Sequence, residues 1–241
     1  MSQTDNSQTG INGFIVLDKP SNMSSMKAIA ILRRKAGRIK TGHAGTLDPL
    51  ATGVLVCALG KATKSISRMM NTTKQYRTTI DLSAFTSTDD LEGEQEPITP
   101  IAQPTEAQLK ETLKGFTGSF LQRPPAFSAM KVKGRRAYQL ARSGEEVVLE
   151  PRPVVVHEMT LIEYQWPIVE LDLVVDKGFY VRSLARELGM KLGTGGHCTS
   201  IRRTAVGPFT LETAHDPELL ADPLPPELVL GIEPALALLE R

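Results

Sequence analysis

Hydrophobic positions along this chain fall into short runs with two spacings. Gly13–Asp18 is almost continuously apolar and closes at Lys19-Pro20, which predicts a buried strand. Ala28, Ile29, Leu32 and Ala36 recur at helical spacing, with Lys27 and Arg34 pointing the other way. Ser24 or Ser25 is placed to cap that helix, and Gly37 to stop it near Lys35. Residues 39–51 predict a loop. Val54–Leu59 reads as a short buried strand, Lys61–Met70 as a helix with a basic face, and Tyr76–Ser83 as an alternating strand.

The rest of the chain continues in this mixed style. Thr86–Pro104 is acidic and contains prolines, so it predicts a surface loop, and Thr105 with Gln108 has the spacing of a capping box opening a helix to about Lys114. Residues 121–150 form a distinct insertion with Arg123-Pro124-Pro125, the basic run Lys131, Lys133, Arg135, Arg136, and a short helix ending at Gly144. Val154–Tyr164 and Ile168–Val175 alternate as an antiparallel pair across a turn at Gln165–Pro167. Gly178–Val181 predicts a further strand, followed by a helix with Leu184, Leu188 and Leu192. A glycine-rich turn at Gly193–Gly196 leads to a strand over Ile201–Phe209, and residues 216–241 hold one or two short helices among prolines. There is no internal repeat and no regular βαβ alternation, so the fold class is α+β with a mostly antiparallel sheet.

Charge changes this picture more than composition does. The chain has 241 residues, 41% of them hydrophobic, enough for one large domain or a domain with a small appendage. Its net charge of +1 conceals a strong asymmetry. Residues 19–80 hold twelve cations, and Asp48 is the only acid among them. The remaining residues carry an excess of acid. That separation implies one basic face, the footprint of a polyanion partner. The two cysteines, Cys57 and Cys198, form no framework or CxxC spacing, which points to a reducing cytoplasm. Residues 1–11 are polar, read as a disordered tail and not as a signal peptide, and no apolar run reaches membrane-spanning length.

Within the basic segment, Asp48 precedes Pro49 and lies between Gly45 and Gly53, so the backbone can turn tightly and present a carboxylate. Asp-Pro is also a common turn former, and a turn residue is the plainer reading. The unbroken basic surroundings favour a working acid. His43 is a candidate acid or base, or a simple hydrogen-bond donor. Tyr76, between Lys74 and Arg77, suits stacking on an unpaired base or packing across a strand. Arg182, after a predicted strand, is either an idle surface residue or a bidentate partner that would hold Asp48 ionised. Lys131 to Arg136 and Arg202-Arg203 add short basic runs to a phosphate-tracking groove. His157, His197 and His215 lack ligand spacing, so no metal is expected. No phosphate-cradling glycine motif calls for a nucleotide cofactor.

Gly42-His43-Ala44-Gly45-Thr46-Leu47-Asp48-Pro49-Leu50-Ala51-Thr52-Gly53-Val54-Leu55 resembles the signature of the TruB family, the bacterial tRNA pseudouridine-55 synthases. Gly13–Pro20, Lys74-Gln75-Tyr76, Pro124–Lys131, Gly178–Ala185 and the stretch around Ile201-Arg202-Arg203 follow in the family's order, so the resemblance covers roughly residues 12–210. It implies the pseudouridine synthase fold: a central mixed, largely antiparallel sheet, flanking helices, and a thumb insertion at residues 123–150. It implies a monomer acting without cofactor on the T-loop uridine in the T-arm of tRNA. By position, Asp48 resembles the catalytic aspartate, Tyr76 the tyrosine that stacks on the target base, and Arg182 the arginine paired with the nucleophile. His43 resembles the histidine that fills the space left by the extruded nucleotide. Lys19, Asp90 and Ile201 match substrate-binding cleft positions, with Lys131, Lys133 and Arg202 expected on RNA. Two departures stand out. The family's TDT-like run reads Thr86-Ser87-Thr88 before Asp89-Asp90, and the residues after Phe209 are too few for a full PUA-type RNA-binding domain, so residues 211–241 read as a short helical tail.

Overall fold

The computed structural model describes residues 10–99, 102–128, 130–132, 134–145 and 147–240. Contacts divide the chain into two units, one holding the residues up to Thr72 together with Ala205 onward, the other Thr73–Thr204.

The first unit opens with β1 (Gly13–Lys19), α1 (Ser25–Lys35), β2 (Thr41–His43), β3 (Thr52–Leu59) and α2 (Ile66–Met70). β1 forms on the apolar run predicted for it and pairs antiparallel with β3 along its whole length, Gly13 opposite Leu59 and Lys19 opposite Gly53. β2 also pairs antiparallel with β3, so the predicted 39–51 loop begins with three residues of strand. Ser24 caps α1 by accepting from the Lys27 amide at 3.1 Å, and Ala28, Ile29, Leu32 and Ala36 are buried as their spacing required. The predicted 61–70 helix is split: a 3₁₀ stretch over Gly60–Ser65 precedes the five-residue α2. The unit's core joins Phe14, Val54, Val56, Met69, Val206, Phe209 and Leu236. Residues of the predicted tail contribute to it. Lys35 is buried, and its ammonium donates to the carbonyls of Glu218, at 2.9 Å, and Leu220.

The second unit contains β4 (Lys74–Asp81), β5 (Ala84–Thr86), β6 (Gln95–Pro97), α3 (Glu106–Lys114), β7 (Gly118–Gln122), β8 (Lys131–Val132), β9 (Arg135–Arg136), α4 (Ala137–Arg142), β10 (Arg152–Gln165), β11 (Ile168–Val175), α5 (Val181–Leu192) and β12 (His197–Val206). Its sheet runs β12-β4-β11-β10-β7, and the pairs from β4 to β7 are antiparallel. β13 (Phe209–Thr210), β14 (Ala214–His215) and α6 (Ile232–Ala237) return to the first unit, where β14 pairs parallel with β1. The sheets are thus mixed but largely antiparallel, as expected. The capping box of α3 is present in both directions.

Two local readings are corrected. The acidic 86–104 segment is not wholly loop, because Gln95–Pro97 pairs back on Ala84–Thr86. Gly178–Val181 is not a strand. Gly178 takes φ +90° and breaks the extended run, and Tyr180 is already the N-cap of α5. The backbone N–H and C=O of Tyr180 are satisfied by the amide of Gln122, at 2.8 and 3.0 Å, instead of by a ladder. After α5 the glycine-rich turn is tight by necessity. A methyl group at Gly196 would collide with the Ala185 carbonyl, so the turn lies directly on the helix.

Candidate active site

Asp48 sits in the loop between His43 and Thr52, and the first unit fixes that loop from both sides of the aspartate. Ser25 Oγ accepts from the Leu47 amide and donates to the Leu47 carbonyl, both at 2.9 Å. On the other side, the Lys19 ammonium donates to the Pro49 carbonyl at 3.1 Å, and also to the carbonyls of Pro20 at 2.9 Å and Met23 at 2.6 Å. Ser21 Oγ reaches the Leu50 carbonyl at 3.3 Å. Leu47 and Ala51 are buried anchors, and Gly45 and Gly53 take φ +101° and +100°, where a side chain would strain the turns. Asp48 itself is only half-buried. The loop is therefore held by its backbone and its apolar residues, and the one carboxylate in it stays accessible.

Lys19 is fully buried. Burying an ammonium without partners is very costly, and three carbonyl acceptors offset that cost. The residue expected at a substrate-binding position thus acts on the loop that carries Asp48. His43 is half-buried at the end of β2, opposite Cys57, and opens the same loop.

In the second unit Tyr76 lies half-buried on β4, opposite Leu173 of β11. Lys74, two residues before it, is buried, and its ammonium is pushed down to about 8, first by burial and then by the positive charge of Arg203. Arg77 turns away and forks onto Asp172 at 2.9 and 2.7 Å. On β12, Ile201 is buried and Arg202 half-buried.

Arg182, in the first turn of α5, is 4% exposed. Its guanidinium donates to the carbonyls of Thr88 and Phe127, each at 2.9 Å, and lies 3.4 Å from Asp90. Asp90 is 1% exposed and accepts from the Glu92 amide at 3.0 Å and from the Thr88 hydroxyl. One turn further along the helix, Arg186 pairs with Asp89 and donates to the Arg123 carbonyl at 2.8 Å. Ser183 Oγ donates to that same carbonyl at 2.7 Å, while the Arg123 amide donates to Glu187 at 3.3 Å. Burial raises the Asp89 carboxyl to about 6 against the pull of Arg186 and Arg182. Nearby, Cys198 is fully buried, which pushes its thiol up to about 12 and keeps it unreactive.

This cluster places Arg182 with Asp90 and ties the start of the 123–150 insertion to α5. Arg182 and Arg186 are one helical turn apart, facing the adjacent pair Asp89-Asp90. That spacing is visible in the sequence, but no local rule links Arg186 to Asp89. Ser25 is an alternative helix cap by sequence, and nothing in its local sequence distinguishes that role from its bonds to Leu47. Asp48 belongs to the first unit, and Tyr76 and Arg182 to the second. Lys133 lies outside the described residues, and Lys131 begins β8. Among the described residues there is no group of three or more His, Cys, Asp or Glu side chains that could hold a metal ion, and no helix long and apolar enough to cross a membrane.

Comparison with known proteins places this geometry in a family. Residues 33–181 match the model of the TruB family pseudouridylate synthase N-terminal domain, and residues 182–224 that of the tRNA pseudouridylate synthase B C-terminal domain. The chain is 44% identical over 233 residues to tRNA pseudouridine synthase B of Corynebacterium diphtheriae, covering 94% of this chain and 77% of that protein. It is 42% identical over 214 residues to the Parabacteroides distasonis protein of the same name, covering 86% and 91%. Among solved structures, a chain of a Cbf5-Nop10-Gar1 complex superposes with TM-score 0.72 at 28% identity, over 92% of this chain and 61% of that one. A chain of an H/ACA RNP bound to a substrate RNA containing 2'-deoxyuridine gives 0.65 at 27% identity, over 86% and 52%.

Proposed function

Since the chain belongs to the TruB family of pseudouridylate synthases, we propose that it isomerises the T-loop uridine of tRNA to pseudouridine, with Asp48 as the catalytic carboxylate. The reaction breaks the N1–C1′ glycosidic bond, turns the base and joins C5 to C1′. The proton lost from C5 is balanced by one gained at N1, so no redox cofactor or energy donor is consumed. The step needs a carboxylate beside the ribose and base, either adding covalently or assisting departure from the sugar through a glycal-like intermediate.

The observation that carries this reading is the bracketing of Asp48. Polar contacts from Ser25, Lys19 and Ser21 reach the backbone of Leu47, Pro49 and Leu50 on both sides of it. A backbone fixed in this way pre-organises the reacting group that it carries. Arg182 would keep the carboxylate ionised and Tyr76 would stack on the loosened base. The target nucleotide leaves its stack first, and His43 fills the gap. Recognition rests on the folded T-arm and its phosphates, with Lys131, Lys133 and Arg202 as contacts. We place the enzyme in the cytoplasm as a monomer.

Mapping pseudouridines by mass spectrometry in unmodified tRNA transcripts treated with the purified chain tests the proposal. One new pseudouridine in the T-loop is expected, also in an isolated T-arm hairpin and with no guide RNA present. Modification at other sites only, or none, overturns the assignment.

A further inference from the structure

One strongly charged surface of the first unit is left unused by this account. Arg33, Arg38, Lys40, Lys61 and Lys64 are all exposed, and among the described residues none has a carboxylate within ion-pair distance. Their neighbours differ. Arg34 faces Asp222 at 3.8 Å, and Arg68 is paired with Glu240 at 2.8 Å.

Backbone contacts make these cations one continuous stripe. The Arg38 amide donates to the Arg33 carbonyl at 2.7 Å, and Arg33 Nε returns to the Arg38 carbonyl at 3.4 Å. The Gly60 amide donates to the Lys40 carbonyl at 2.8 Å, which puts Lys40 beside Lys61. Lys64 lies one turn on, in the same 3₁₀ stretch. Arg38 also holds φ +62°, directly after Gly37 at φ +69°. A left-handed conformation is unfavourable for a residue that bears a side chain, whereas glycine occupies it freely. An arginine stands there at a cost to the fold, with its guanidinium in solvent.

The stripe is remote from the catalytic loop. Lys40 and Lys61 flank the ends of β2 and β3 at Thr41 and Leu59, whereas the Asp48 loop joins the opposite ends of those strands. The eight residues of β3 span about 23 Å at the usual rise per residue. An RNA whose target uridine sits at Asp48 reaches the stripe only through phosphates well removed from that uridine.

We infer that this stripe binds the phosphate backbone of tRNA outside the T-arm, adding a contact to the body of the molecule. This rests on the reading of tRNA as substrate. Five exposed cations in a row, with no carboxylate partner among the described residues, fit a polyanion, and phosphate contacts of this type position an RNA without reading its sequence.

The test compares the parent chain with Arg38→Gly/Lys40→Gln/Lys61→Gln, measuring affinity for unmodified full-length tRNA and for an isolated T-arm hairpin across a salt series. The substitutions are exposed, and Arg38→Gly relieves backbone strain, so an unchanged or higher Tm is expected. Affinity for full-length tRNA should fall by roughly tenfold, with a salt slope shallower by about one for each cation removed, while hairpin affinity stays the same. Equal losses on both RNAs, or no loss on either, overturn the inference. If the parent chain makes no pseudouridine in either RNA, the catalytic reading fails, while the difference in binding still decides the stripe.

Discussion

Asp48 and Arg182 are positioned in opposite ways. The aspartate stands on a loop whose backbone is gripped by Ser25, Lys19 and Ser21, and its own carboxylate is half-exposed. The arginine is gripped through its own guanidinium, which is buried and shared among Thr88, Phe127 and Asp90. The first arrangement fixes the loop through its neighbours and leaves the side chain half-exposed. The second fixes the direction of a charge and also knits three segments together. Substitution should therefore separate the two regions. Changes at Asp48 should alter chemistry with little effect on stability, and changes at Arg182 should affect both.

The largest stability effect should come from Arg182→Met, which leaves Asp90 buried and without its guanidinium. Breaking a buried pair from one side costs about 3–5 kcal/mol. Chemical denaturation should show a loss of that order, and adding Asp90→Asn should recover part of it. A loss below about 1 kcal/mol would mean that Asp90 is not held by this arginine. Lys19→Met comes next. It strips the ammonium from the Pro49 carbonyl and from the buried Met23 carbonyl, the latter at about 1–3 kcal/mol for a buried acceptor left without its donor. Here kcat should fall while tRNA affinity is largely retained, because the lysine acts on the loop. A rise in KM alone would instead make it a substrate contact.

A smaller effect concerns pH. Burial raises the folded-state Asp89 carboxyl from 3.8 to about 6, so folding favours its protonated form. The stability this gives is fully present below pH 4 and is lost as pH rises through 6. Asp89→Asn removes that dependence, so its Tm should improve relative to the parent between pH 4 and pH 7. The opposite trend would show that pairing with Arg186 outweighs burial.

The two regions also differed in how far they could be read from sequence. The Asp48 loop was legible because its signals are local: a lone acid among cations, Asp-Pro geometry, and glycines on either side. The helix carrying Ala28, Ile29 and Leu32 and the capping box at Thr105 were legible for the same reason. What holds the loop was not, since Lys19 and Ser25 lie far from it in the chain and look like a strand end and a helix cap. The apolar Gly178–Val181 segment reads as a strand but is the turn leading into α5, and only the amide of the distant Gln122 shows where the Tyr180 backbone bonds go. The Arg186–Asp89 pair is not legible in the sequence, because no local rule connects an aspartate in an acidic loop to a helix nearly one hundred residues later.

The most direct measurement is tritium release from tRNA carrying 5-tritiated uridine, with Asp48→Asn at enzyme excess and tRNA binding measured in parallel. The account predicts parent-like binding and Tm with release slowed by at least about a thousandfold, as for loss of a principal catalytic group. Release within tenfold of the parent, at unchanged binding, would contradict it.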